Sequence, residues 1–269
     1  MHTSVNIGDP LLDMPFEKYL SRQTHEISEE RVLEKAKQAA RAKQFNYLNG
    51  EWVPNPYEGF AIISRLSDNA SNKELTHRLK KIQEELNERL ISPNVFFQLP
   101  AASFHQTIAN CLSATRYEKH IVEKQLEKKY PDTIFQVFEQ IDSHKNTEPI
   151  QMKMIGLSIF GTAIGMLGVF ENEKDYARIL DFRNSFYHNE HTKQLGIRMT
   201  RPFIGHITLT YMEGELSITE KENLANAVNL INDGLKKESN YFYISNTSLI
   251  RYHHLAAFFR DANFPITLL

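Results

Sequence analysis

Two segments about a hundred residues apart carry the same small constellation. Phe104-His105-Gln106-Thr107-Ile108 and Gly205-His206-Ile207-Thr208-Leu209 each place a histidine two residues before a threonine, inside an apolar, strand-like run. A β-strand turns residues i and i+2 to one face, so each segment presents an imidazole and a hydroxyl side by side. Two such strands packed face to face bring two histidines and two threonines into one cleft. That set suits phosphoryl transfer without a metal: one neutral imidazole accepts a proton, one imidazolium donates one, and hydroxyls hold the phosphate oxygens. With unperturbed histidines near pKa ~6.5, the pair predicts a bell-shaped rate profile around neutrality.

His-x-Thr is a short motif. The chain's 11 histidines supply about 0.6 of an occurrence by chance, so the weight rests on context. Both copies fall in strand-like runs of two similar halves. A strand is expected at residues 59–66, a helix at 72–90 on the period Leu75, Leu79, Ile82, Leu86, Leu90, and a strand pair at 95–99 and 103–111, the second carrying the first motif. Charged helical sequence then runs from 117 to 130, Pro131 ends it, and a short helix follows at 133–141. After a polar linker at 142–149 the second half repeats the order: strands at 152–160 and 164–170, a helix from Asn172 to His188, and a strand at 203–212 with the second motif. Thr219-Glu220-Lys221-Glu222 reads as a capping box opening a helix faced by Leu224, Val228, Ile231 and Leu235, with closing strands at 241–245 and 249–253. Ahead of all this, Ser28 is positioned to cap a helix from Glu29 to about Gln44 with a thin apolar face. Residues 1–45 are therefore expected as a helical arm and 46–269 as a two-lobed α+β domain.

Bulk properties narrow the function. A chain of 269 residues, 41% apolar and 11% aromatic, builds a sizeable core, and a net charge of −2 excludes the broad basic surface that grips extended duplex nucleic acid. A small anionic ligand or an RNA end remains compatible. One cysteine, Cys111, forms no intrachain disulfide, and the polar residues 1–9 lack the pattern of a secretory leader, so the expected compartment is the cytoplasm. Residues 154–170 are uncharged and contain Gly161-Thr162-Ala163-Ile164-Gly165, but four glycines and five β-branched residues fit a β-hairpin better than a membrane span. His188-Asn189-Glu190-His191 follows a helix end, where cationic side chains suit the dipole, rather than forming a metal set. His253 and His254 alternate across a strand, and Cys111 has no base placed beside it. Arg65, Arg116, Arg198 and Arg201, on or beside the motif strands, are candidates for phosphate contacts. Tyr211, three residues past Thr208, alternates away from the His206 face on an ideal strand.

The paired motifs in this setting resemble the 2H (two-histidine) phosphoesterase superfamily, which includes RNA 2′-5′ ligase-like proteins and 2′,3′-cyclic phosphodiesterases. Phe45-Asn46, Gly50, Pro54 and Gly59, the run from Leu99 to Thr107 with Arg116 after it, and Phe203, His206 to Leu209 and Tyr211 resemble one subgroup of it over about residues 44–259. An aromatic is expected where Gly205 stands. The resemblance implies a pseudo-twofold arrangement of two antiparallel sheets with helices on the outer faces and the active site between them. It implies no metal or cofactor, catalysis by His105, Thr107, His206 and Thr208, and hydrolysis of a cyclic or 2′-5′ phosphodiester in a nucleotide, cyclic oligonucleotide or RNA end. The rival reading keeps the cleft as a nucleotide- or RNA-end-binding site without turnover; all four motif residues together favour the enzyme, because binding alone needs no proton-transfer pair.

Overall fold

The computed structural model describes residues 14–141 and 148–269. Residues 1–9 and most of the expected 142–149 linker lie outside the described residues. Helices α1 (Phe16–Glu26) and α2 (Glu29–Lys37) come first, and the Ser28 hydroxyl accepts the Arg31 N–H at 3.3 Å as the N-cap. The helix stops at Lys37 rather than near Gln44 because the next N–H groups find sheet partners: Ala40 donates to Gly161 O and Ala42 to Met212 O. Nor is the helices' buried face thin. Tyr19, Val32, Ala36 and Ala39 are buried in the main hydrophobic core.

A small hairpin, β1 (Phe45–Leu48) and β2 (Glu51–Pro54), leads into β3 (Gly59–Arg65), α3 (Lys73–Arg89) and the short β4 (Phe96–Gln98). Then come β5 (His105–Ser113), α4 (Ala114–Tyr117) running into a π turn at Glu118–Val122, and α5 (Tyr130–Gln140). Pro131 opens α5 rather than ending the preceding helix: in the first helical turn its missing N–H has no intrahelical partner to lose. The uncharged stretch becomes the hairpin of β6 (Ile150–Ile159) and β7 (Ala163–Phe170), turning at Gly161 with φ +70°. No helix among the described residues is long and apolar enough to cross a membrane. Next are α6 (Glu173–His188, capped by Asn172), α7 (Glu190–Gln194), β8 (His206–Met212) and α8 (Ile218–Leu235). The capping box of α8 is Ser217 with Glu220, two residues before the expected frame. Leu224, Val228, Ile231 and Leu235 are buried as expected. Strands β9 (Asn240–Ile244), β10 (Asn246–His254), β11 (Ala257–Phe259) and β12 (Ile266–Leu268) close the chain.

The fold is α+β with antiparallel pairing throughout. In the larger sheet the order is β11-β10-β3-β5-β8-β7-β6-β9, with β12 added on β10 and β4 on β8. One group of strands, β10-β3-β5, comes mainly from the first half, and β8-β7-β6-β9 from the second. They join where Gln106 of β5 pairs with Ile207 of β8. Beyond that rung β8 takes β4 as its partner, so β4 and β5 are not a pair. Alternation sorts the faces: on β3, Phe60 and Ile62 enter the helix-covered core, whereas Ala61 and Ile63 join a separate small cluster with Ile250, Tyr252, Tyr57, Leu255 and Phe258. The motif side chains share this second face.

Candidate active site

The residues between histidine and threonine in the two motifs are the ones that pair, Gln106 with Ile207. Antiparallel geometry then puts His105 beside Thr208 and Thr107 beside His206, one step to either side of the rung. The motif strands thus lie side by side in one sheet rather than packed face to face. All four side chains are partly exposed, on one face. Gln106 is buried and strengthens the junction. Its Oε1 accepts the His206 N–H at 2.6 Å while its Nε2 donates to Thr107 O and Ile204 O. A buried polar residue in an apolar run was the sequence signal for it.

Each motif strand then bulges at the same place. On β5, Thr107 faces Ile63 and Ala109 faces Ile62, leaving Ile108 extra; on β8, Thr208 faces Gly165 and Thr210 faces Ile164, leaving Leu209 extra. A bulge adds one residue and reverses the alternation beyond it. Asn110 and Tyr211, each three residues past its threonine, therefore return to the histidine face, which corrects the ideal-strand expectation for Tyr211. Bulged carbonyls need partners other than the ladder. Ile108 O accepts from buried Arg183 of α6, and Leu209 O accepts from buried Gln83 of α3 at 2.7 Å.

Both imidazoles are oriented alike. His105 Nδ1 bonds Ser103 O at 2.7 Å and His206 Nδ1 bonds Ile204 O at 3.1 Å, each the carbonyl two residues back. A carbonyl can only accept, so Nδ1 carries the proton and Nε2 is left for chemistry. Burial pushes His105 down to about 4, opposed by the Ser103 bond and aided by Arg65. His206 is also lowered to about 4 by burial, opposed by its Ile204 bond and aided by Arg201 and His105. Both rings are therefore neutral at pH 7 in the unliganded protein, and an anion placed between them favours protonation of one. An aromatic ring flanks each: Phe258 lies edge-on to His105 at 4.4 Å and Phe160 is tilted against His206 at 4.8 Å. These two phenylalanines, invisible among 17 in the sequence, come from hairpins on opposite sides of the β5–β8 junction.

The four candidate arginines divide into two pairs. Arg65 is paired with His105 in register and holds Asp68 at 3.1 Å; Arg201 donates to Asn110 Oδ1 at 2.9 Å. Thr107, Asn110, Arg183, Arg201, Phe203 and His206 line one recess, so residues of both motifs meet there. Arg116 and Arg198 lie elsewhere, on a cavity shared with His120 and Lys193. Gly205 also finds its reason. A Cβ there would stand 2.7 Å from Met152 Sδ and 2.8 Å from Gly168 O, so the aromatic expected at this position has no room.

Comparison with known proteins fits this geometry. Residues 47–162 match the family model 2H-phosphodiest, described as a domain of unknown function (DUF1868). The match makes this part of the chain, somewhat under half of it, similar to a 2H phosphodiesterase domain. The matched 2H segment contains His105 and Thr107 and ends before His206 and Thr208, which the sheet brings beside them. No curated protein matches the chain. The crystal structure of a conserved protein of unknown function, ATU0111 from Agrobacterium tumefaciens, shares the fold at TM-score 0.55 and 15% identity, over 82% of this chain and 90% of that one. TT0787 of Thermus thermophilus aligns at TM-score 0.41 and 12% identity, covering 78% and 94%, and Escherichia coli LigT complexed with NADP+ at 0.36 and 12%, covering 80% and 96%.

Proposed function

We propose that the protein is a metal-independent phosphodiesterase hydrolysing a cyclic, 2′,3′-type, or 2′-5′ phosphodiester in a nucleotide or oligonucleotide. The observation that carries this reading is the Gln106–Ile207 rung, which sets the two His-Thr pairs beside each other on one face. Nε2 of one imidazole takes a proton from water as the water oxygen bonds phosphorus. The bond from phosphorus to the ribose oxygen breaks, and that oxygen takes the proton of the other, protonated ring. Thr107 and Thr208 donate to the non-bridging oxygens, with Arg65 and Arg201 supplying positive charge. Two imidazoles perform both proton transfers, so the step calls for no metal. Phe258 and Phe160 supply flat apolar surfaces for a base. The lone cysteine, Cys111, buried and without a disulfide, suits a cytoplasmic setting.

The test is incubation with chelator and a panel of 2′,3′-cyclic nucleotides, 2′-5′ oligonucleotides and cyclic oligonucleotides, with products followed by 31P NMR. Conversion to monophosphate ends, lost in His105→Ala and in His206→Ala, is the expected result. Tight binding without turnover by the unmodified protein establishes the rival binding reading instead.

A further inference from the structure

Arg116 and Arg198 meet at a surface cavity of about 370 Å³ that they line with His120, Lys193, Gly196 and Ile197. Its positive charge comes from two separate segments of chain, residues 116–120 and 193–198. Arg116 donates to Gly196 O at 2.8 Å, which fixes one wall, and neither Arg116 nor Arg198 has a carboxylate partner among the described residues; Lys193 is held by Glu190 at 2.7 Å. His120 Nδ1 is shielded from solvent without a hydrogen-bond partner. Its ring packs on Gly196, at φ +77°, where a Cβ would be 2.4 Å away. Arg116 is six residues past Asn110, and Arg198 is three before Arg201. The two segments lining the catalytic recess therefore continue into this cavity. Six extended residues bound the separation at about 20 Å.

We propose that this cavity binds a second phosphate group of the substrate, beyond the scissile one, and thereby selects an oligonucleotide over a mononucleotide. The inference rests on the phosphodiesterase reading for its substrate. Two guanidinium groups converging from different segments match phosphate oxygens in geometry and charge. Arg116 and Arg198 join Lys119 and Lys124 in holding His120 below its ordinary value, after burial as the larger cause, and a bound phosphate reverses that repulsion.

The experiment uses full-length protein carrying His105→Ala and His206→Ala, so that nothing turns over, with the His120 ring followed by NMR across pH. Three probes are added: a ribotrinucleotide ending in a 2′,3′-cyclic phosphate, the corresponding mononucleotide, and inorganic phosphate. The trinucleotide is expected to raise the His120 pKa and to bind about tenfold tighter than the mononucleotide, the equivalent of one added contact worth ~1.4 kcal/mol. In the exposed-site variant Arg198→Glu that advantage falls below twofold. Equal affinity for the two nucleotides overturns the proposal, as does an equal His120 shift with inorganic phosphate, which marks a site for free anion. A His120 shift and tenfold advantage alongside no hydrolysis by the unmodified protein supports the cavity and sinks the catalytic reading alone.

Discussion

Strands β5 and β8 present the same device to the open face: histidine, threonine, a bulge, then a polar side chain three residues further on. Behind that face they share no residue. The β5 bulge is held by a buried cation, Arg183, whose other nitrogen donates to Arg201 O at 3.0 Å. The β8 bulge is held by the neutral amide of Gln83 and the Leu99 N–H at 2.9 Å. Before His105 stands a buried phenylalanine, Phe104; before His206 stands Gly205, clamped by the N-terminal helix. Arg22 donates to Phe203 O at 2.7 Å, Gln23 to Gly168 O at 2.8 Å and, more weakly, to Gly205 O, and Tyr19 to Gly168 O. The difference teaches that the motif face repeats side-chain type and spacing closely, whereas the back must only satisfy a carbonyl and fill space, which several residues can do. It also makes α1 part of the second motif's support.

The sharpest way to break the comparison is at the histidines. Each of His105→Ala and His206→Ala is expected to lower kcat/KM by ~10² to 10⁴, and the double variant to lose little more than the worse single one, because both act in one step. Additive losses in steady-state assays would mean the halves work separately. Next come the bulge partners: Arg183→Leu leaves two carbonyls unmet and is expected to destabilise by about 2–3 kcal/mol in denaturant titration, Gln83→Leu by about 1–3 kcal/mol. Arg183→Leu also lowers activity beyond its effect on folding, since it lines the recess; Gln83→Leu, on the neutral side, does not. Gly205→Ala is expected to cost about 1–3 kcal/mol through overpacking against Met152 and Gly168, read as a lower melting temperature.

The smallest effect is in pH. Burial holds both rings near 4 in the free protein, whereas a bound phosphate raises the value of the ring that protonates. The kcat/KM profile reports the free protein and kcat the complex, so the kcat/KM optimum is expected at lower pH than the kcat optimum, by about one unit. Coincident optima would show that the substrate leaves the rings' environment unchanged. The neutral-pH bell expected from the sequence used ordinary histidines and could not include their burial.

Local signals carried much of the fold. Alternation and glycine placement gave the β6–β7 hairpin, and Asn172, Ser28 and the Leu224 to Leu235 face gave helix starts and sides. That each histidine stands beside its threonine, His105 with Thr107 and His206 with Thr208, was legible because spacing on a strand fixes a face. What escaped was set by distant partners. The Ile108 and Leu209 bulges arise where a helix side chain reaches a carbonyl, and without them Asn110 and Tyr211 point the wrong way. Pro131 and Ser217 show the same limit at helix ends, where one residue suits either side of a boundary. Arg116 and Arg198 were recognised as cations near the motifs, but only folding separates them from Arg65 and Arg201.

Strands β5 and β8 meet at a single rung, Gln106 with Ile207, although the β4–β8 ladder and a shared core join the halves around it. Where neighbouring strands are usually zipped by a ladder, here one glutamine side chain supplies bonds that further backbone pairs would make. The placing of the two histidines at this junction thus leans on a side chain as well as on the repeat of the sheet. A one-residue change at position 106 would therefore act on both motifs at once, freeing the His206 N–H from its partner on one strand and the Thr107 carbonyl from its partner on the other.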